Sequence, residues 1–277
     1  MNTIKVVLLL ASLSGLLMVV GYFIGRRRGV IMALGLSMLM NIGSYWYSDK
    51  IVLKMYNARE VTEEQSPALY HVVTGLSERA RLPMPGVYII DSQTPNAFAT
   101  GRNENHAAIA VTSGILNILD RAELEGVIGH ELSHIKNKDM LISTMAATIA
   151  GGVVMLSYMA RWAAILGDAE GKQGGTVGLI ATAIVAPIAA TIIQMAISRS
   201  REYGADEGGA KISGKPAALA RALAKLSKAS GVMPMDANPS TAHMFIVNPL
   251  SGDFFLTLFD THPPIEERID RLMKMSS

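Results

Sequence analysis

Four long stretches of the 277-residue sequence contain no charged residue, and they constrain the fold more than any other feature. They cover residues 6–24, 29–47, 140–160 and 176–198. A helix of about 20 apolar residues is long enough to cross a hydrocarbon core that is about 30 Å thick. Half of all residues are hydrophobic and only 17% are charged, which is typical of a membrane protein. The sequence therefore predicts four transmembrane helices, paired as hairpins over residues 1–54 and 140–198.

The residues that flank the first two stretches indicate that both stay in a lipid bilayer. A secretory signal peptide is an alternative for residues 6–24, but three arginines at 26–28 follow it in place of a small-residue cleavage pattern. The second stretch ends in the aromatic residues 45–47, and such residues favour the level of the lipid headgroups. The formal net charge is only +2 and the basic residues form no aromatic-rich face, so we expect no nucleic-acid partner.

Two polar portions, residues 55–139 and 199–277, remain outside the predicted membrane helices. Within them, apolar spacing predicts a helix from Leu69 to Ala80 and two later helices, and short β-favouring runs predict a small sheet. The predicted later helices cover residues 217–228 and 264–275, and the predicted strands cover 87–90, 97–100 and 107–112. The fold class is therefore mainly α with a small β-sheet.

The stretch 120–139 reads as one amphipathic helix that carries His130, Glu131 and His134. Asp120 and Glu123 have the spacing of a capping box at its start. The two histidines are four residues apart, so both imidazoles can reach one metal ion. Two ordinary histidines beside a glutamate remain an alternative interpretation. Gly126 and Gly129 each cost about 1 kcal/mol in a helix interior, so helix stability does not explain their presence. The close approach of another backbone would explain it.

A third metal ligand is expected from the number of membrane crossings. Two crossings between residues 140 and 198 return the chain to the side of the bilayer that holds the two histidines. Glu202 is then available as a third ligand, and Asp206, one turn further on, is placed to bind the outer nitrogen of a ligand imidazole. Taken alone, this pair of acids is also typical of a solvated helix face. A histidine ligand at the sixth position after His134 is excluded, because Met140 stands there.

Four motifs in this order resemble the HtpX-type membrane zinc metalloproteases, relatives of the CAAX prenyl endopeptidase. They are HELSH at 130–134, REYGAD at 201–206, NAFATG at 96–101 and THPP at 261–264. The resemblance implies a gluzincin-like α+β domain that faces the cytoplasm and is attached to four membrane helices in a bacterial inner membrane. It also implies a multi-pass endopeptidase, with one zinc ion per subunit, that cuts misfolded or damaged membrane proteins during stress.

The same resemblance implies a role for each matching residue. His130, His134 and Glu202 would bind zinc, Glu131 would be the catalytic base, and Asp206 would support a ligand. Residues Asn96, Ala97, Phe98 and Ala99 would align the substrate backbone along a strand. His262 would donate a hydrogen bond to the developing oxyanion, and its alternative is an ordinary turn residue before two prolines.

A non-proteolytic membrane scaffold and a metal transporter are the alternatives to an enzyme. A transporter normally carries ionisable groups within its spans, whereas these stretches hold only an occasional polar residue such as Asn41. A scaffold without activity would be expected to lack the base Glu131.

The arginines at 26–28 fall on the far side of the bilayer in the cytoplasmic orientation, against the usual bias of basic residues.

Overall fold

The computed structural model describes residues 2–151, 198–232, 237–238, 240–249 and 262–276. The described part is mainly helical and contains one four-stranded sheet. Most of the predicted fourth membrane helix, at 176–198, and the end of the third, at 140–160, lie outside the described residues.

Helix α1 (Asn2–Met55) contains both stretches of the first predicted hairpin. Its backbone leaves helical geometry at Gly25 and Arg26, where Arg26 has a φ of 48°. The side-chain amide of Asn41 donates a hydrogen bond to the hydroxyl of Ser14 at 3.0 Å, so the two halves of α1 lie side by side. The exposed surface of the second half includes large apolar side chains such as Met32, which suits contact with lipid.

Only one of the four predicted membrane helices passes a test of length and hydropathy within the described residues. Gly25–Met55 is long and apolar enough to cross a membrane, and Val6–Val19 and Met140–Gly151 are shorter apolar helices. The prediction of four membrane helices is therefore supported for one helix, and it stays a prediction for the other three.

The sheet has the strand order β1-β2-β4-β3. Its strands are β1 (Arg59–Glu60), β2 (Gly86–Ile90), β3 (Ala97–Gly101) and β4 (Ala107–Thr112). Strands β2 and β4 are parallel, whereas β1 pairs antiparallel with β2 and β3 pairs antiparallel with β4. Three of these strands were predicted from the sequence, and the two-residue β1 was not. The order leaves β3 at an edge of the sheet.

Seven further α-helices are described, and three of them pack against the helix that carries the histidine motif. They are α2 (Pro67–Ala80), α3 (Ser113–Ile118), α4 (Arg121–Lys136), α5 (Met140–Gly151), α6 (Arg199–Ser213), α7 (Pro216–Val232) and α8 (Ile265–Lys274). Helix α4 packs against α2, α6, α7 and the sheet. The predicted capping box is confirmed: the Asp120 carboxylate accepts from the Glu123 N–H at 2.9 Å, and the Glu123 carboxylate accepts from the Asp120 N–H at 3.0 Å.

Two glycines allow α4 to lie unusually close to its neighbours. A Cβ at Gly126 would lie 2.9 Å from the Cα of Leu219 on α7. A Cβ at Gly129 would lie 2.8 Å from the carbonyl oxygen of Gly209 on α6. The prediction that another backbone approaches these glycines is thereby confirmed. The close contact with α6 also brings the two halves of the candidate site together, because Glu202 lies on that helix.

Candidate active site

Helices α4 and α6 bring His130, His134 and Glu202 into one group. One ligand atom from each of the three side chains can be chosen so that all lie within 4.8 Å of one another. Glu202 Oε2 is 3.8 Å from His130 Nε2, and Glu202 Oε1 is 3.6 Å from His134 Nε2. The two imidazole rings are perpendicular, with centroids 4.7 Å apart. The third ligand expected from the sequence therefore lies where a metal ion could join all three side chains.

The chemistry of these donors fits a catalytic zinc ion. Two imidazole nitrogens and one carboxylate form a three-ligand set of the kind that leaves one coordination position open. His130 Nε2 is buried and has no hydrogen-bond partner among the described residues. A buried polar atom left in this state is costly, and a bound cation would satisfy it.

The carboxylates of Asp206 and Asp139 lie next to the outer nitrogens of the two histidines. Asp206 Oδ1 is 2.9 Å from His130 Nδ1, as the sequence predicted, so the Nε2 atom of His130 is directed towards Glu202. Asp139 Oδ2 is 3.6 Å from His134 Nδ1, and Arg201 in turn pairs with Asp139 at 3.0 Å. Asp139 was not predicted, although a carboxylate five residues after His134 was a signal that could have indicated it.

Arg268 on α8 is the other residue that the sequence analysis missed. Its guanidinium is fully buried and binds both carboxylate oxygens of Asp206 at 2.8 Å. A chain of contacts therefore runs from Arg268 through Asp206 to His130. Arg268 shares the buried face of its helix with Leu272, and an arginine on such a face was the signal for a buried ion pair.

The surroundings shift the pKa values of the two buried glutamates in opposite directions. Burial raises the pKa of Glu131 to about 7, so this carboxylate is poised for proton transfer near neutral pH. Burial also acts to raise the pKa of Glu202, but the charges of His134, His262 and Arg268 outweigh it and lower that pKa to about 2. Glu202 is thus held as an anion, which is the state that a metal ligand requires.

The pKa values of the two histidines are also shifted in opposite directions. Burial lowers the pKa of His130 and favours its neutral, metal-binding form. Burial acts in the same direction on His134, but the nearby carboxylates of Asp139 and Glu202 outweigh it and raise its pKa overall. The neighbouring acids therefore favour the protonated form of His134, and a bound cation would compete with that proton.

The predicted substrate-aligning residues are buried, and residues Phe245–Val247 of the same chain already contact Asn96, Ala97 and Phe98. The Asn96 side chain is fully buried, donates to the carbonyl of Val247 at 2.8 Å, and accepts from the N–H of Ala97 at 3.1 Å. Ala97, Phe98 and Ala99 belong to the edge strand β3, and the carbonyl of Ala97 accepts from Ile246 at 3.0 Å. His262 Nε2 lies 2.7 Å from the carbonyl oxygen of Phe245.

The group of ligands lines a small internal cavity. Its volume is about 20 Å³, and its lining includes Glu131, Ala99 and the three candidate ligands as well as His243 and the three residues that follow it. A cavity of this size holds about one water molecule. The site could therefore hold a reacting water beside the base in this conformation, but no peptide.

Taken together, the buried ligand set, the adjacent glutamate and the small sheet define a metallopeptidase of the HExxH type. The chain belongs to a known family of this class. Its residues 63–276 match the model of peptidase family M48, which is described as "Peptidase family M48".

Relatives named "Protease HtpX homolog" match almost the whole chain. The relative from Thermodesulfovibrio yellowstonii is 56% identical and is matched over 100% of this chain and 99% of its own. The relative from Desulforapulum autotrophicum is also 56% identical, over 98% of this chain and 89% of its own. The relative from Thermococcus kodakarensis is 57% identical, over 97% of this chain and 94% of its own. The resemblance to HtpX-type proteases that the motifs indicated is thus confirmed.

The crystal structure of S. mikatae Ste24p has a similar fold. The TM-score is 0.51 at 16% sequence identity, and the match covers 98% of this chain and 65% of the Ste24p chain. At this identity the likeness concerns the fold alone. The family match and the names of the relatives support a membrane metalloprotease.

Proposed function

We propose that this protein is a membrane-integral zinc endopeptidase that hydrolyses peptide bonds of misfolded or damaged membrane proteins. The observation that carries the proposal is the convergence of His130, His134 and Glu202 beside the buried base Glu131, within a chain of peptidase family M48. The presence of a carboxylate poised for proton transfer favours a hydrolase over a metal transporter or a non-proteolytic scaffold, since neither of these needs a base.

His130, His134 and Glu202 would hold one zinc ion, which in such sites acts as a Lewis acid towards water and the peptide carbonyl. Glu131 then accepts a proton from the attacking water and later delivers it to the nitrogen of the leaving amine. Asp206 keeps His130 in the tautomer that leaves Nε2 free to bind. In the proposed mechanism His262 donates a hydrogen bond to the carbonyl oxygen that becomes negative in the transition state.

The proposal includes the location of the protein. We propose a multi-pass protein of a bacterial inner membrane, with four membrane helices and the catalytic part on the cytoplasmic side, that acts in envelope stress. The apolar surface and length of Gly25–Met55 support contact with a lipid bilayer. The names of the HtpX relatives support a protease of this type.

A cleavage assay with the full chain tests the proposal. The protein is purified in detergent, loaded with zinc and incubated with unfolded casein, and fragments are measured by mass spectrometry. We expect cleavage that stops when a chelator is added and returns with zinc. The Glu131→Gln variant should retain zinc without cleaving. Absence of cleavage by the zinc-loaded wild type, or full activity of the zinc-loaded variant, would contradict the proposal.

A further inference from the structure

Residues Met244–Val247, which start at the end of a 3₁₀ turn (Ala242–Met244), contact the outer edge of β3 and make one backbone hydrogen bond to it. The N–H of Ile246 donates to the carbonyl of Ala97 at 3.0 Å. The Asn96 side chain, just before β3, donates to the carbonyl of Val247 at 2.8 Å and accepts from its N–H at 3.4 Å. The edge of a sheet offers unpaired backbone groups, and an extended peptide that pairs with them gains affinity through its backbone whatever its sequence.

Two side chains from the C-terminal part of the chain bind consecutive carbonyl groups of this segment. His262 Nε2 lies 2.7 Å from the carbonyl oxygen of Phe245. Arg268 Nη1 donates to the carbonyl oxygen of Ile246 at 2.9 Å. Because Asn96 also donates to the carbonyl oxygen of Val247, side chains from outside the segment bind three successive carbonyl groups. Such an arrangement binds an extended peptide backbone rather than one particular side chain.

The segment also closes the cavity that contains the candidate metal ligands. Residues His243, Met244, Phe245 and Ile246 line this cavity together with the ligands and Glu131. The remaining volume of about 20 Å³ leaves room for a water molecule and none for a peptide. A substrate that reached Glu131 along β3 would have to take the place of this segment.

Phe245 anchors the segment in a pocket of aromatic residues. Its side chain is 1% exposed, and its ring lies 5.2 Å from the rings of both Phe98 and Tyr56, in edge-to-face geometry. The Tyr56 hydroxyl also hydrogen-bonds to the hydroxyl of Thr241, which precedes the segment. The pocket joins β3 to the end of α1, and a large aromatic side chain fills it.

The family resemblance already implies that β3 aligns the substrate backbone. We infer that in the resting protein residues Met244–Val247 occupy a docking groove formed by that edge and the Tyr56–Phe98 pocket, and that a substrate which replaces them places an aromatic side chain in the pocket. The inference rests on the proposed function, because it identifies the groove as the entrance to that site. The segment competes with substrate, so a substrate binds only to the fraction of molecules in which the segment has left. The apparent affinity for a peptide falls in proportion to that fraction.

Peptide binding to the zinc-loaded Glu131→Gln protein tests the inference without any need for cleavage. The probe is a fluorescent peptide with the sequence of residues 241–249, measured by anisotropy in detergent. Phe245→Ala removes the anchor from the protein, and we expect it to bind the probe at least about tenfold more tightly than the parent. Leu13→Ala is the matched control, since it removes a fully buried side chain from the first half of α1, outside both core clusters that contain residues of the segment, and should leave binding unchanged.

A second measurement uses the protein without substitution in case Phe245→Ala fails to fold. The unlabelled peptide of residues 241–249 should inhibit casein cleavage by the wild type competitively. The same peptide with alanine at the Phe245 position should be at least about tenfold weaker, because it lacks the anchoring ring.

The outcomes separate this inference from the proposed function. If the wild type cleaves casein but the peptide does not compete, the inference is wrong and the proposed function stands. If the peptide binds as expected but zinc-dependent cleavage is absent, the proposed function is wrong and the groove stands. Equal binding of the probe to the parent and to folded Phe245→Ala would overturn the inference.

Discussion

Replacing Arg268 by methionine leaves the buried carboxylate of Asp206 without its guanidinium partner. The Arg268 side chain is fully buried, that of Asp206 is 4% exposed, and two hydrogen bonds of 2.8 Å join them. Removing one member of a buried ion pair typically costs about 3–5 kcal/mol. For a domain of this size, 1 kcal/mol shifts the melting temperature by about 2–4 °C. We therefore expect a decrease of about 6–20 °C in the melting temperature of Arg268→Met.

Arg271 on the same helix is the matched control. Its side chain is 53% exposed, pairs with Glu267 at 2.9 Å and lies over the ring of Tyr203. Exposed contacts of these two kinds contribute about 1 kcal/mol or less. Arg271→Met removes one contact of each kind and should therefore decrease the melting temperature by no more than about 8 °C, and by less than Arg268→Met.

Melting is followed by circular dichroism of the metal-free proteins in one detergent and buffer. Adding Asp206→Asn to Arg268→Met should restore part of the lost stability, because the unpaired charge disappears while the introduced side-chain amide still offers an oxygen to His130. A melting temperature of Arg268→Met that is not lower than that of Arg271→Met would contradict a stabilising role for the Arg268–Asp206 pair. A further decrease of the melting temperature on adding the second substitution would also contradict it.

Three further predictions concern the metal site and its surroundings. Glu131→Gln should keep its zinc and lose casein cleavage by about 10²–10⁴-fold, and equal activity at equal zinc content would contradict its assignment as the base. Glu202→Ala should lose zinc after dialysis, as measured by elemental analysis, whereas Glu207→Ala on the exposed face of the same helix should retain it. Burial lowers the pKa of His243 from 6.5 to about 4 in the folded protein. As the pH falls from 6.5 to 4, the unfolded chain therefore binds a proton at His243 that the folded protein does not. The free energy of unfolding decreases in this range by about 1.4 kcal/mol per pH unit. His243→Gln should therefore show a flatter dependence of melting temperature on pH in this range, and an unchanged slope would contradict the assignment.

The local features of the site could be predicted because they depend on short spacing. The capping box at Asp120 and the facing histidines His130 and His134 are set by helical geometry alone, and the structure has both. The close approach at Gly129 followed from the cost of glycine in a helix. Asp206 was predicted from its position one turn after Glu202.

Apart from Asp139, which lies five residues after His134, the features that were missed depend on contacts between distant parts of the chain. Arg268 meets Asp206 across 62 residues, and Asn96 meets Val247 across 151 residues. No periodicity in the sequence records such pairs. Asn96 is an example. The motif indicated that it lies beside the strand that aligns the substrate, but only the structure shows that its side chain binds Val247 of the same chain in the resting protein.

The convergence of His130, His134 and Glu202 on one metal ion is the central claim, and diffraction at the zinc absorption edge tests it most directly. Crystals of the zinc-loaded Glu131→Gln protein should show one anomalous peak per chain, within bonding distance of Nε2 of both histidines and of a carboxylate oxygen of Glu202. A map with no peak at this position, or with Glu202 on the opposite side of the bilayer from the two histidines, would contradict the account.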